Sequence, residues 1–390
     1  MTSFTATSTG HLEFGPGAVD RLPAALELVG RSRAFIVTDP GIQLCGVLAE
    51  VLEVLAAAGV RTTVFAEVEP NPTTDTIDSA ADRLHTLGEA ALAETAVVAL
   101  GGGSSLDAAK GISLAAANNA KAVAFDYSEE PAHPALPLIA IPTTAGTGAE
   151  TNGFGVIDNR VDHCKVYLGH DTAQPRVCIL DPELTLGLPP AATAATGLDA
   201  LVHGIESLTS RGRTPLSEAY AHQAVRLVHR WLPAAVTDGA DLEARSQLLL
   251  GAHLAGLALS LSGLGLVHGI AHAVSARTGA AHGLALGAVL DHVLSYNLSA
   301  ATPEYAAIAY DLGIGDTARG EAGNAAAVAP AVREFAELVG ARPTLTALGC
   351  EPAMVADLAR TALADAVTRN NPRTPAQPEL EALITAALTD

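Results

Sequence analysis

At 390 residues the chain is long enough to bury two cores, since domains commonly hold about 100 to 200 residues each. A formal net charge of -20 excludes a broad nucleic-acid or anionic-membrane surface, which would need clustered Lys and Arg. Four cysteines without CxxC spacing (Cys45, Cys164, Cys178, Cys350) exclude a disulfide framework and a cysteine zinc site, and fit a reducing cytoplasm.

Taken in chain order, MTSFTATSTGHLEFGPG has no basic stretch followed by an apolar one, so no signal peptide is expected. From Arg33 to Ile141, short β-branched runs (AFIVTD, TTVFAEV, AVVAL, LPLIAI) alternate with helical periods (GVLAEVLEVLAAAG, TIDSAADRLHTLG, SLDAAKGISLAAAN). That alternation predicts a parallel sheet covered by crossover helices, a layout suited to nucleotides. After VCILDPELTLGLPP the strand signals fade into Ala- and Leu-rich helix. The boundary is therefore expected near Leu186 to Pro190, with an α/β domain over 1–187 and an all-helical one over 188–390. Ser246 to Ala276 lacks Asp, Glu, Lys and Arg and is long enough to span a bilayer. Because it carries His253, His268 and His272 among repeated Gly and Ser, two helices buried in a soluble core are expected there, and no membrane partner.

Two loops carry ligand-binding chemistry. In AVVALGGGSSLDAAKG, Gly101, Gly102 and Gly103 follow a strand and precede a helix that Ser104 or Ser105 could cap. Glycines let the backbone approach a pyrophosphate, and the amides and dipole of the helix start favour its charge; the plain alternative is a tight strand-to-helix turn. IPTTAGTGAE, again after a strand, offers Thr143, Thr144 and Thr147, and the two loops together suggest one shared ligand. Asp39 ends the first strand of the set. Its carboxylate could accept from an adenosine ribose and repel a 2′-phosphate, selecting NAD over NADP, or Asp39-Pro40-Gly41 could simply be a turn.

A second chemistry lies in the helical half. TGLDALVHGIES places Asp199 and His203 four residues apart, and GLVHGIAHAV does the same for His268 and His272, so each pair leaves one helix face. His282 follows in AAHGLALG after an expected helix break at Gly279. Five such groups in apolar helices are costly to bury without partners. One carboxylate with several imidazoles is a ligand set for a divalent ion such as Fe2+, Zn2+, Co2+ or Mn2+. His11, His85, His133, His222 and His229 sit in polar contexts, and His163, His170, His253 and His292 are ambiguous.

With these motifs assembled, the chain resembles the iron-containing (group III) alcohol dehydrogenase family over nearly its whole length. The carrying segments are PNPT (Pro70 to Thr73), GGGSSLDAAK, PTTAGTGAE, ILDPEL (Ile179 to Leu184), GLDALVHGIE, GLGLVHGIAH and the HG at His282. The resemblance implies a Rossmann-like dinucleotide-binding domain with a parallel sheet and an all-helical metal domain, as in dehydroquinate synthase-like folds, in a homodimer. It implies one divalent metal, Fe2+ or Zn2+, on Asp199, His203, His268 and His282, with His272 as a nearby proton relay. It assigns Asp39 to the ribose of NAD(H), and Asn71, Gly102, Gly103, Ser104, Asp107, Thr143, Thr144, Thr147 and Lys165 to the cofactor cleft. The implied reaction interconverts a small primary alcohol and its aldehyde by hydride transfer.

Departures from the family pattern bear on substrate. Asn152 and Phe154 lie where relatives shape the substrate pocket. DAVTRNNPR (Asp365 to Arg373) resembles a family segment DxCTxxNPR whose variable positions are usually small and neutral, yet Arg369 stands there. If Arg369 faces the pocket, helped by Arg277, its planar fork suits an anionic aldehyde such as a semialdehyde or phosphonoacetaldehyde; a solvent-facing Arg369 leaves neutral aldehydes as the default. Two other readings compete. A metal-independent maleylacetate-type reductase shares the fold but not the intact ligand set, and a non-redox lyase resembling dehydroquinate synthase carries different ligand motifs.

Overall fold

The computed structural model describes residues 10–159 and 164–390, apart from the side chains of 159, 164 and 165. The described residues divide into two compact units, one made of Gly10–Thr144 with Gly148–Gly187, the other of Ala145–Thr147 with Leu188–Asp390.

The first unit is built on a six-stranded sheet. Its strands are β1 (His11–Phe14), β2 (Arg33–Val37), β3 (Arg61–Phe65), β4 (Thr95–Gly101), β5 (Leu138–Pro142) and β8 (Val177–Leu180), in the order β1-β8-β5-β4-β2-β3 and all parallel. Alternate residues enter opposite cores. Phe35, Val37, Val97, Ala99 and Ala140 face one, while Ala34, Ile36, Val98, Leu100 and Ile141 face the other. Burial on both faces explains why these strands read as unbroken apolar runs. The expected strands and crossover helices are present, the latter as Val47–Ala57, Thr74–His85 and Gly103–Asn118. Two elements had no clear signal in the sequence: edge strand β1, and an antiparallel hairpin of β6 (Phe154–Asn159) and β7 (Cys164–Gly169).

Strand order decides where a ligand can sit. The chain runs from β2 outward to β3, then returns to the other side of β2 as β4 and continues to β5. Such a reversal opens a crevice beyond the carboxyl ends of β2 and β4, the usual ligand position in open α/β sheets.

The second unit contains no strand among its described residues. Its longer helices include Pro190–Thr209, Pro215–Thr237, Leu242–Ser262, Leu266–Thr278, His282–Asn297 and Gly320–Leu338. The first of these is buried nearly all round, enclosed by the others. The uncharged segment 246–276 is two helices meeting at 103°, and no single helix among the described residues is long and apolar enough to cross a membrane. Gly263, at φ 67°, ends the first of them, and Gly279, at φ 72°, ends the second where a break was expected.

Candidate metal centre and cofactor loops

In the α/β unit, the three predicted loops end adjacent strands. Asp39 follows β2, Gly101 to Gly103 end β4 and begin a helix, and Thr143 follows β5, where its N–H donates to the Gly101 carbonyl at 2.9 Å. Gly101 has φ 145°, and a Cβ there would lie 2.7 Å from Ser105 Oγ and 3.1 Å from Asp39 Oδ2. A Cβ on Gly102 would come within 3.3 Å of the Thr144 methyl. These positions keep the backbone bare for close approach.

The helix start differs from expectation. Gly102 is the N-cap of Gly103–Asn118 and no side chain caps it, so neither Ser104 nor Ser105 takes that role. Both serines already lie in the first turn, and Ser105 Oγ donates instead to Asp39 Oδ2 at 3.1 Å. The first-turn amides are thereby left without a side-chain acceptor, as an anion-binding helix start requires. Asp39 forms the turn its sequence context allowed: Oδ1 accepts from Gly41 and Ile42 N–H at 2.8 and 3.1 Å as a cap, while Oδ2 lies toward the glycine loop.

The remaining cofactor and substrate candidates are placed as follows. Asn71 is exposed in the left-handed region at φ 54°. Asp107 accepts from Lys110 Nζ at 3.2 Å and from Val156 N–H at 3.1 Å. Lys110, fully buried, also donates to Asn152 Oδ1 at 2.9 Å and to the Phe154 carbonyl at 2.6 Å. Asn152 and Phe154 are thus fixed by an internal ammonium, and the Phe154 ring packs edge-on against Tyr127. The side chain of Lys165, with those of Cys164 and His163, lies outside the described residues.

In the helical unit, one atom organises the metal candidates. Asp199 Oδ1 lies 3.2 Å from His203 Nε2, 3.4 Å from His268 Nε2 and 3.7 Å from His282 Nε2. Donor atoms of Asp199, His268 and His282 all fall within 4.8 Å of one another. The His203 and His268 rings stack with centroids 4.7 Å apart. Asp199, His203 and His268 are at most 4 % exposed, yet Asp199 Oδ1 and His268 Nε2 have no hydrogen-bond partner. Buried polar atoms left this way are costly unless something else satisfies them. A divalent cation would, because the clustered donor atoms of Asp199, His268 and His282, with His203 Nε2 beside the same carboxylate oxygen, are a borderline donor set.

The electrostatics differ from group to group, and His268 is a ligand only once an ion has displaced its second ring proton. Burial opposes ionisation of Asp199, but the surrounding imidazoles outweigh it and hold the carboxyl well below the usual range. Burial pushes His203 down to about 4, keeping it neutral as a ligand must be. For His268 burial acts downward as well, but Glu206 and Asp199 lift it to about 9.

Two carboxylates that sequence reasoning missed complete the centre. Glu206, 4 % exposed, accepts from His268 Nδ1 at 2.6 Å. Asp365 accepts from His272 Nδ1 at 2.8 Å, which leaves Nε2 of that ring uncommitted among the recorded bonds. A signal existed for Glu206, which continues the Asp199 and His203 face at the next turn of a helix otherwise free of charge. Asp365, 93 residues from its partner, had only its place at the head of the DAVTRNNPR segment. His272 lies beside the cluster, its ring 5.3 Å from that of His282. Arg277 and Arg369 are both exposed, and neither joins the cluster.

Comparison with known proteins decides the family. The sequence profile for iron-containing alcohol dehydrogenase matches residues 9–182, and the profile for the C-terminal part of the Fe-containing alcohol dehydrogenase family matches residues 193–388. The chain belongs to the iron-containing alcohol dehydrogenase family. As a member it is an oxidoreductase acting on alcohols. It is 34% identical over 374 residues to the NAD-dependent methanol dehydrogenase of Bacillus methanolicus, covering 96% of this chain and 97% of the relative. Among solved structures it is similar to a 1,3-propanediol oxidoreductase, with a TM-score of 0.95 and 32% identity over 99% of this chain and 100% of the other. It is also similar to sulfoacetaldehyde reductase from Bifidobacterium kashiwanohense in complex with NAD+, with a TM-score of 0.90 and 28% identity over 100% of both chains.

Proposed function

We propose that this alcohol dehydrogenase is NAD(H)- and divalent-metal-dependent and interconverts a small primary alcohol with its aldehyde. The observation that carries the reading is the convergence of Asp199, His203, His268 and His282, with two buried ligand atoms lacking any partner. That intact set argues against the metal-independent reductase. Fe2+ and Zn2+ both suit it. A homodimer rests on the family resemblance, and a cytoplasmic location is supported by Cys45, Cys178 and Cys350 being free thiols.

An ion held there supplies a Lewis acid for the charge that develops on the substrate oxygen. NAD(H), when bound, would supply the hydride acceptor or donor. Asp39 Oδ2 would accept from the ribose hydroxyls, and the bare amides at Gly103 and Ser104 would hold the pyrophosphate. Thr143, Thr144, Thr147, Asn71 and Lys165 contribute further polar groups, with Asp107 bracing the loop through Lys110. His272, turned by Asp365, holds or passes the alcohol proton at Nε2. A His272→Asn variant is expected to keep its metal while losing about 100-fold in kcat, with a changed pH profile. Unaltered kcat and pH dependence would remove His272 from proton transfer.

The substrate is a small aldehyde, neutral by default. Similarity to a sulfoacetaldehyde reductase supports an anionic one, with Asn152 and Phe154 shaping its pocket, while the exposure of Arg369 and Arg277 favours the neutral class. NADH oxidation by metal-quantified protein tests both levels, using neutral aldehydes beside those carrying a carboxylate, sulfonate or phosphonate. Preference for the anions, with KM rising in Arg369→Ala, is expected if that guanidinium binds them. An unchanged KM in the variant returns the substrate to the neutral class, and no turnover with metal bound reopens the lyase reading.

A further inference from the structure

Glu206 does more than neutralise charge beside the metal ligands. Three N–H donors point at its buried carboxylate: Val267 N–H reaches Oε1 at 2.7 Å, Gly265 N–H reaches Oε2 at 3.0 Å, and His268 Nδ1 reaches Oε2 at 2.6 Å. Two of the donors open the Leu266–Thr278 helix, and the third belongs to a ligand one residue further on. Gly265 is bare where a Cβ would stand 3.0 Å from Oε1.

Resting on the metal reading above, we propose that Glu206 is a positioning residue that sets the affinity of the centre. By accepting the Nδ1 proton it commits His268 to offering Nε2, and by holding the helix start it aims that nitrogen at Asp199. A carboxylate can accept from all three donors. An amide cannot, because in either orientation its NH2 confronts at least one N–H. Turned toward His268, that NH2 would force Nδ1 to accept and move the ring proton to Nε2, the atom needed for the ion. Asn371 provides an internal comparison. Its Oδ1 accepts from Leu266 N–H at 3.2 Å, so it caps the same helix with no recorded bond to the ring.

The test uses full-length protein and Zn2+ affinity measured by chelator competition, with the visible spectrum of the Co2+-loaded form as a second readout. Glu206→Gln is expected to bind Zn2+ about 10- to 100-fold more weakly and to alter the Co2+ bands. Asn371→Ala should lower the melting temperature while keeping both metal readouts at their wild-type values. Should Glu206→Gln fail to fold, Gly265→Ala presses the same carboxylate without removing it and is expected to weaken Zn2+ in the same direction. Wild-type Zn2+ affinity in the Glu206 or Gly265 variant, or equal weakening in Asn371→Ala, overturns the proposal. Failure of the unaltered protein to bind either ion overturns the metal reading instead, so the two failures are distinct.

Discussion

An Asp199→Asn variant is expected to lose its bound metal and roughly 1,000-fold in kcat/KM for aldehyde reduction, the factor that corresponds to a few kcal/mol of Lewis-acid stabilisation. The change removes no volume. What it removes is the negative oxygen on which His203, His268 and His282 converge, leaving three imidazoles around a neutral amide. If the amide nitrogen faces them, it donates where the ion should be. Metal content by elemental analysis and turnover on the same sample check the two losses together. Full metal stoichiometry with activity near that of the parent would sink the ligand assignment.

The second large effect concerns packing. A methyl at Gly283 would stand 2.1 Å from the Ala195 carbonyl oxygen, and both are backbone-anchored positions that cannot swing aside. Gly283 follows His282, and Ala195 lies one turn before Asp199. Relief of the clash must therefore part the two helices at the point where they carry the proposed ligands Asp199 and His282. Gly283→Ala is expected to cost at least about 1–3 kcal/mol, as overpacking does, and to weaken metal binding as well. Thermal melts and metal content report the two effects. Gly279→Ala is the control, because its methyl would meet open space and its cost arises only from the backbone at φ 72°. Equal metal content in both variants would show that the helix contact is not what places His282.

Legibility in the sequence followed the range of the interactions. Strands β2, β4 and β5 were readable because both faces are buried and each run is apolar within itself, and edge strand β3 because its run is β-branched. Strand β1 was not, since four residues with exposed Leu12 and Phe14 gain their place only by pairing with β8, more than 160 residues away. The i,i+4 spacing exposed Asp199 with His203 and His268 with His272, because helix geometry is local. Their convergence with His282 on one oxygen was implied by family resemblance and not by spacing. Ser105 was misread as a cap for the same reason. Its hydroxyl is drawn to Asp39, a partner 66 residues away, and the third glycine of a flexible run leaves the cap position to Gly102. Arg369 shows the opposite limit, where a residue marked by its departure from a pattern stands exposed in the chain as folded.

The ligands and their supporting carboxylates span Asp199 to Asp365, with Glu206 62 residues from His268 and Asp365 93 residues from His272. No stretch of unfolded chain can hold these groups together, because closing such loops costs entropy before any bond repays it. On the metal reading proposed above, the ion would bind the native helical unit far better than the unfolded chain, and most of its binding energy would add to the energy of unfolding. At free ion 1,000 times above the dissociation constant the gain is about 4 kcal/mol, a large share of a typical folding free energy. On that reading metal supply would govern how long each molecule survives proteolysis as well as how fast it turns over, and a cell short of the ion would lose the polypeptide along with the activity.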